Sequence, residues 1–535
     1  MFNRTTDLLI GGGLGYVLTL PVLWWLTNAH GVNAWPTWVF LMISLFISGP
    51  HYGATILRAY EHRADRSRYA LFAVWATIAV VGLFVGGLHN VMLGSILVTV
   101  YATWSPWHFS GQNYGVAVMF LRRRGVEVEP RAKRLLYASF ILAFLLSFIV
   151  MHGETSILSN ASVPVGELSN FRFLTIGIPG DVIKIALPIV VGLYSFTLGA
   201  TVVLLTQKAR LRDLGPAACL VLAQALWFAL PAAAPVLAAK RFDGLAFTIV
   251  WISAAHGLQY LWVSYAYARG ADSSIRLRTY FVRTLMAGST VTIFPAMLFA
   301  PGVLGTVPWD NGLAILLISA VNIHHFVLDG AIWKLRDGKV ARFLLRDTSV
   351  VSESDPIEVP RSRWFHPTMA VVGVVGLCVA LVDGYEREIR VNQATNIEEV
   401  IDVSERLAMI GRDSPVLHTQ IARRLADQGR YEEAIEHYRK GLELFPSIPA
   451  WVGLGVAYGK LERWEDATDA YEQALFRMPD NVALLAQTGV AYMEQEKFEL
   501  ARRLLERAAR LAPGNAQVTK DFRRAVMAQA NAGGG

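Results

Sequence analysis

Long stretches without a single charged side chain run through the first 384 residues of this chain, and nothing else in the sequence constrains its fold as much. Eleven segments, at about 7–26, 37–57, 69–88, 91–120, 134–152, 182–206, 216–239, 244–267, 280–303, 311–333 and 367–384, each hold close to the roughly 20 apolar residues that a helix needs to cross a hydrocarbon core. The whole chain is 17% charged, against about a quarter for a soluble protein, and the deficit sits in this region. The reading is an all-α protein: a polytopic transmembrane bundle over 1–384, then a soluble helical part. Met1 to His30 reads as an uncleaved first span, because its apolar run is long, carries Trp24-Trp25 at its far end and lacks a small-x-small cleavage site. The segment 91–120 is too long for one straight crossing, and Pro231 and Pro295 are expected to kink their helices. Cys219 and Cys378 both lie in apolar segments, which points to packing rather than a disulfide or zinc site.

Charge in the loops sets the orientation. The connections after the second, fourth, sixth, eighth and tenth spans are rich in lysine and arginine, as in Arg122-Arg123-Arg124, whereas the alternate connections hold only Arg172, Lys184, Lys240 and Arg241. Basic loops stay in the cytoplasm. The expected location is therefore a bacterial-type inner membrane with a cytoplasmic N-terminus and everything after Gly384 outside. The short segment 367–384 decides that last point. The net charge of +7 comes from these loops and gives no reason to expect nucleic acid.

After about Asn392 the composition turns charged and amphipathic, and a repeat emerges. Trp451, Leu454, Gly455, Tyr458, Ala467, Tyr471, Ala474 and Pro479 recur as Ala434, Tyr438, Gly441 and Pro446 before them, and as Gly489, Tyr492, Ala501, Ala508 and Pro513 after. Small residues let paired helices approach, aromatics fill the gap, and proline ends the second helix. This pattern is identified as a member of the tetratricopeptide repeat family. The expectation is a linker and capping helix at 385–414, three repeats at 415–515, and a capping helix with a disordered tail at 516–535. Such α-solenoids present a groove to a protein or peptide partner.

Of the twelve histidines, His30, His62, His89, His152, His366, His418 and His437 read as solvated or interfacial. His51, His108, His256, His324 and His325 do not. They fall on the second, fourth, eighth and tenth spans, about 12 to 17 residues from the outer end, a depth of roughly 18 to 26 Å. Four helices thus bring imidazoles to the middle or inner half of the bilayer. Each has a companion one turn on, where side chains share a face: Thr55 after His51, Gln112 after His108, Tyr260 after His256 and Asp329 after His325. An aspartate near a helix centre costs about 2.5 to 3.5 kcal/mol to insert and so demands a partner.

Neutral imidazole is a common ligand for iron, zinc and copper. The expected metal ligands are His51, His108, His256, His324, His325 and Asp329, with Gln112, Gln259 and Asn322 as outer partners and Asp329 and Tyr260 as catalytic residues. His324 and His325 lie about 100° apart on a helix and cannot both face one point; one turns to a neighbouring helix, or two metals are held. Iron is the expected metal, with zinc, copper and a haem b between two imidazoles as alternatives.

The runs Gly49-Pro50-His51-Tyr52-Gly53-Ala54 and Trp107-His108-Phe109-Ser110-Gly111-Gln112, with His324-His325 and Asp329, resemble the bacteriorhodopsin-related protein family of membrane β-carotene dioxygenases. That resemblance implies iron held by intramembrane histidines, with His51 and His108 as ligands and His256 and His324 or His325 completing the set. The expected function is an iron-dependent oxygenase or hydroxylase acting on an apolar or lipid-like molecule, with external repeats for a partner. The alternatives are a proton- or ion-coupled transporter and a membrane-anchored repeat scaffold. A membrane glycosyltransferase would need acidic residues in the first external loop, and TNAHGVNAWP has none.

Overall fold

The structure, a computed structural model, describes residues 2–30, 37–61, 69–154, 171–233, 245–334, 338–345 and 365–533. Much of the basic loop sequence, at 62–68, 335–337 and 346–364, lies outside these residues, as do Lys240 and Arg241. Every named element among the described residues is helical. The chain divides into two compact units, Met1–Leu298 with Gly312–Gly384, and Phe299–Asn311 with Tyr385–Gly535.

Among the described residues seven helices are long and apolar enough to cross a membrane, and Arg4–Gly11 with Leu14–Leu23, bent by 62°, makes an eighth if the pair is one span. The difference from the eleven expected spans is confined to the three segments that carry His51, His108 and His256. The broken first span was not foreseen. Ile293, two residues before Pro295, interrupts the helix between Leu277–Thr292 and Phe294–Leu298, within a single membrane-length segment. Residues 299–303, read from sequence as the end of a span, leave this unit and belong to the second.

The Leu313–Ile332 helix is the centre of the first unit, with 72% of its apolar window buried, against 17% for Gly180–Thr206. The outer helix shows Ile185, Ile189 and Phe196 to the exterior, apolar side chains that water does not reward. The closest crossing joins Gly49–Tyr60 to Leu277–Thr292. A Cβ on Gly53 would lie 1.8 Å from the Thr284 carbonyl oxygen, and one on Gly288 1.8 Å from that of Gly49. Only glycine permits this approach, the close-packing device of membrane helix pairs. His152, expected to be interfacial, is buried, and its Nε2 lies 3.0 Å from the Thr103 hydroxyl.

In the second unit three helix pairs stack: Pro415–Asp427 with Tyr431–Leu444, Ile448–Lys460 with Trp464–Arg477, and Val482–Glu494 with Phe498–Leu511. Ile397–Met409 precedes them, and Ala516–Gly533 follows, helical through part of the tail expected to be disordered. Ser414, Ser447 and Asn481 each cap the first helix of a pair by accepting from a backbone N–H in the first turn. Gly455 lies under the Tyr471 ring, where a Cβ would meet the ring at 2.5 Å. Each first helix ends on a left-handed residue at the same register: Gly429, then Glu462 and Glu496 at φ 58° and 59°. A side chain in that conformation costs about 1–2 kcal/mol. Replacing Glu462 and Glu496 by glycine is therefore expected to stabilise the repeats by about 1 kcal/mol each, read as slower amide exchange in peptides 448–511 of the purified chain.

His418 and His437, expected to be solvated, are both buried and face each other across the first helix pair. Their Nδ1 atoms are 3.0 Å apart, and His418 Nε2 lies 3.0 Å from an Asp413 carboxylate oxygen. Burial, with the neighbouring His418, pushes the His437 imidazole down to about 4. An unfolded histidine takes its proton near 6.5. The stabilisation is thus complete above about pH 6.5 and is lost as pH falls towards 4. Acidification from pH 7 to 5 should lower the amide protection factors of the first repeat, taken relative to the base-catalysed intrinsic rate, and His437→Gln should flatten that dependence.

Candidate metal centre

Four helices of the first unit build the site: Gly49–Tyr60 brings His51, Val91–Arg123 brings His108, Leu245–Ala271 brings His256, and Leu313–Ile332 brings His325 and Asp329. Their placement follows from local sequence. A π-helical turn, Ser44–Ser48, leads directly into the helix that holds His51, the kind of bulge that re-aims side chains. Gly257 keeps its neighbour His256 close to that turn, since a Cβ there would lie 2.9 Å from Ile47. Pro106 sits inside the Val91–Arg123 helix two residues before His108 and removes one ladder hydrogen bond.

The rings meet. Centroid separations are 4.2 Å for His51 and His325, 4.9 Å for His51 and His256, 4.9 Å for His108 and His256, and 5.1 Å for His108 and His325. Two groups have ligand atoms that all lie within 4.8 Å of one another: His51, His256 and His325, and His108, His325 and Asp329. His324 is elsewhere. Its Nε2 lies 2.8 Å from the Thr77 hydroxyl and 3.1 Å from that of Tyr60, so the adjacent pair splits, one ring inward and one to neighbouring helices.

Three of the four one-turn companions converge. Tyr260 donates to Asp329 Oδ1 at 2.8 Å, Thr55 donates to the same oxygen at 3.1 Å, and Thr55 and Tyr260 are 2.5 Å apart. Trp333 Nε1 donates to the Tyr260 oxygen at 2.8 Å. Thr55 also lies 2.8 Å from His325 Nδ1. With the Thr55 proton on the carboxylate, Thr55 accepts from Nδ1–H and His325 Nε2 carries the lone pair. That lone pair faces Asp329 Oδ2 at 3.2 Å, and His108 Nε2 stands 3.8 Å from the same oxygen.

Buried polar atoms in proteins are almost always hydrogen-bonded. Here His51 Nε2, His108 Nε2, His325 Nε2 and both ring nitrogens of His256 have no hydrogen-bond partner. Each neutral imidazole offers one lone pair, and lone pairs converging on one point beside a carboxylate repel one another unless a proton or metal cation lies between them. The donor set fits a metal ion, and the Nδ1–H bond from His325 to Thr55 is the outer contact a ligating histidine normally makes.

The outer partners expected from sequence are placed differently. Gln112 Nε2 donates to Gln259 Oε1 at 2.7 Å and to the His256 carbonyl at 3.3 Å, so this pair braces the His256 backbone rather than its ring. Asn322 accepts from Tyr52 at 3.0 Å. Tyr260, expected to be catalytic, has its hydroxyl engaged by Asp329, Thr55 and Trp333, the arrangement of a residue that holds Asp329 in place. Trp333 was not anticipated, although its spacing of four from Asp329 was legible. A cavity of about 350 Å³ adjoins the cluster, lined among others by Trp104, Trp107, His108, Tyr260, Phe326 and Asp329.

Residues 415–448 and 452–516 match family models of the tetratricopeptide repeat. Sperm-associated antigen 1 of Rattus norvegicus is 33% identical over 87 residues, 16% of this chain and 10% of that protein. RNA polymerase II-associated protein 3 of Mus musculus is 30% identical over 112 residues, 20% of this chain and 17% of that protein. The chain thus spans about a tenth of the first curated relative's length. Among solved structures, the first tetratricopeptide domain of Spaghetti (RPAP3) bound to an HSP90 peptide is 24% identical, covers 22% of this chain and 94% of its own, and has a TM-score of 0.21.

Proposed function

We propose that this chain is a membrane protein whose repeat domain docks a protein or peptide partner and whose helical bundle holds one iron ion for oxidation of an apolar, lipid-like molecule. Docking rests on the tetratricopeptide repeats, whose stacked helix pairs generally serve that purpose. The membrane setting rests on the apolar outer helices, and the basic loops favour a cytoplasmic N-terminus with the repeats outside. The metal rests on one observation, the knot of partnerless imidazole nitrogens, two of whose rings, His108 and His325, stand beside Asp329.

His108, His325 and Asp329 form a two-histidine, one-carboxylate set, the donor combination that suits non-haem iron, and His51 and His256 close the pocket beside it. His325 has one free nitrogen shared between the two groups, which favours a single ion over two. Three imidazole nitrogens within 4.8 Å of one another suit a single ion better than a porphyrin between two of them. Iron bound here supplies activation of dioxygen. The chain's own residues do the rest: Thr55 fixes the His325 ring, Tyr260 and Trp333 hold the carboxylate, and Trp104 and Phe326 line the cavity alongside His108. The imidazoles gather in one knot rather than a file across the bundle, which is why a proton pathway is not proposed.

Elemental analysis of detergent-purified protein tests this reading, with about one iron per chain expected. Protein that is folded yet free of transition metal, even after anaerobic incubation with ferrous iron, would leave the docking domain and its anchor as the function: an assembly scaffold.

A further inference from the structure

We propose that the cavity beside the histidine cluster is a binding site for a slender hydrocarbon chain, which enters sideways from the bilayer between the Val91–Arg123 and Leu313–Ile332 helices. This rests on the membrane reading above but not on the presence of metal.

The mouth is made by absent side chains. Gly111 and Gly115 on one helix and Gly330 on the other line the cavity. A Cβ at any of the three would meet nothing within 4 Å. Glycines elsewhere in this bundle, such as Gly53 and Gly288, let backbones touch; these three do not, and their effect is an opening. Gly111, Gly330 and Trp107 are exposed at the outer surface, whereas Tyr260, Phe326 and Met119 are buried at the inner wall. The opening is therefore lateral, towards the surface that lipid covers.

Shape sets the ligand class. The lining runs along one helix from Trp104 to Met119, about 22 Å at 1.5 Å per residue. An elongated space of some 350 Å³ along that length suits an extended hydrocarbon chain. Val116, Met119, Val263, Phe326 and Leu344 provide an apolar wall. Polar side chains enter at one zone, where His108, Gln112 and Asp329 line the space. The His108 side chain is only 10% exposed.

The test uses the full chain in lipid nanodiscs and a hexadecanol probe with a mid-chain diazirine. Irradiation should label peptides spanning residues 104–119 and 326–333, and excess unlabelled hexadecanol should suppress it. Competition by added phospholipid of equal chain length separates the sources: suppression by both means that any free acyl chain enters, and suppression by hexadecanol alone assigns a single-chain ligand. The variants Gly111→Leu with Gly115→Leu, and independently Gly330→Leu, should lose the labelling while eluting and melting as the parent does. Labelling that persists in both plugged variants, or that no competitor reduces, would overturn the proposal. Metal content is measured on the same samples, so a metal-free protein that still labels defeats the iron reading alone.

Discussion

Replacing His108 and His256 together by alanine is expected to empty the centre, taking bound metal from roughly one ion per chain to near none. The two rings come from different helices, 4.9 Å apart, and each contributes nitrogen atoms that have no other partner. Loss of outer contacts alone weakens metal sites by about 10- to 100-fold, and loss of ligands does more. Two controls make the result specific. His324→Ala removes a ring that faces Thr77 and Tyr60 rather than the knot, so its metal content should match the parent. Thermal aggregation of the double variant should show that it remains folded, since it deletes groups whose burial is otherwise unfavourable. A double variant that binds stoichiometric metal would sink the ligand assignment.

Gly53→Ala or Gly288→Ala is expected to be the most damaging single-methyl change in the bundle. The added carbon would stand 1.8 Å from a backbone carbonyl oxygen in each case, and backbone on the facing helix cannot rotate away as a side chain does. The two helices must separate, at a cost of about 1–3 kcal/mol for overpacking together with the packing lost along the rest of the interface. Because His51 lies two residues from Gly53 on the displaced helix, metal content should fall along with the aggregation midpoint. Gly111→Ala is the matching control, for its Cβ would enter open space. Equal melting of Gly53→Ala and Gly111→Ala would show that the close crossing does not exist.

The repeats were legible in detail because their signal is local. Gly455 and Tyr471 lie sixteen residues apart in one hairpin, and each repeat restates the same geometry. The helices of the bundle were legible as apolar runs, with the histidine-bearing ones showing themselves by polar groups placed at mid-length. What misled was the reading of single histidines. His152, His418 and His437 look like surface residues in sequence, and burial came with partners on other helices or the preceding loop, at Thr103, Asp413 and one another. Gln112 and Gln259 carried the right chemistry for an outer contact to a ligand but turned to each other.

By itself the sequence determined that histidines sit on four separate helices, and that Thr55, Tyr260 and Asp329 share their faces, because helical periodicity is a property of a continuous chain. It also determined that His324 and His325 must part. Only the tertiary structure decided that His325 is the one that turns inward, that Thr55 joins it to Asp329 and Tyr260 from more than 200 residues away in the chain, and that glycines at Gly111, Gly115 and Gly330 open a channel beside the knot. Those outcomes depend on how helices rotate and cross, which is set by packing between segments that carry no record of each other in their own spacing.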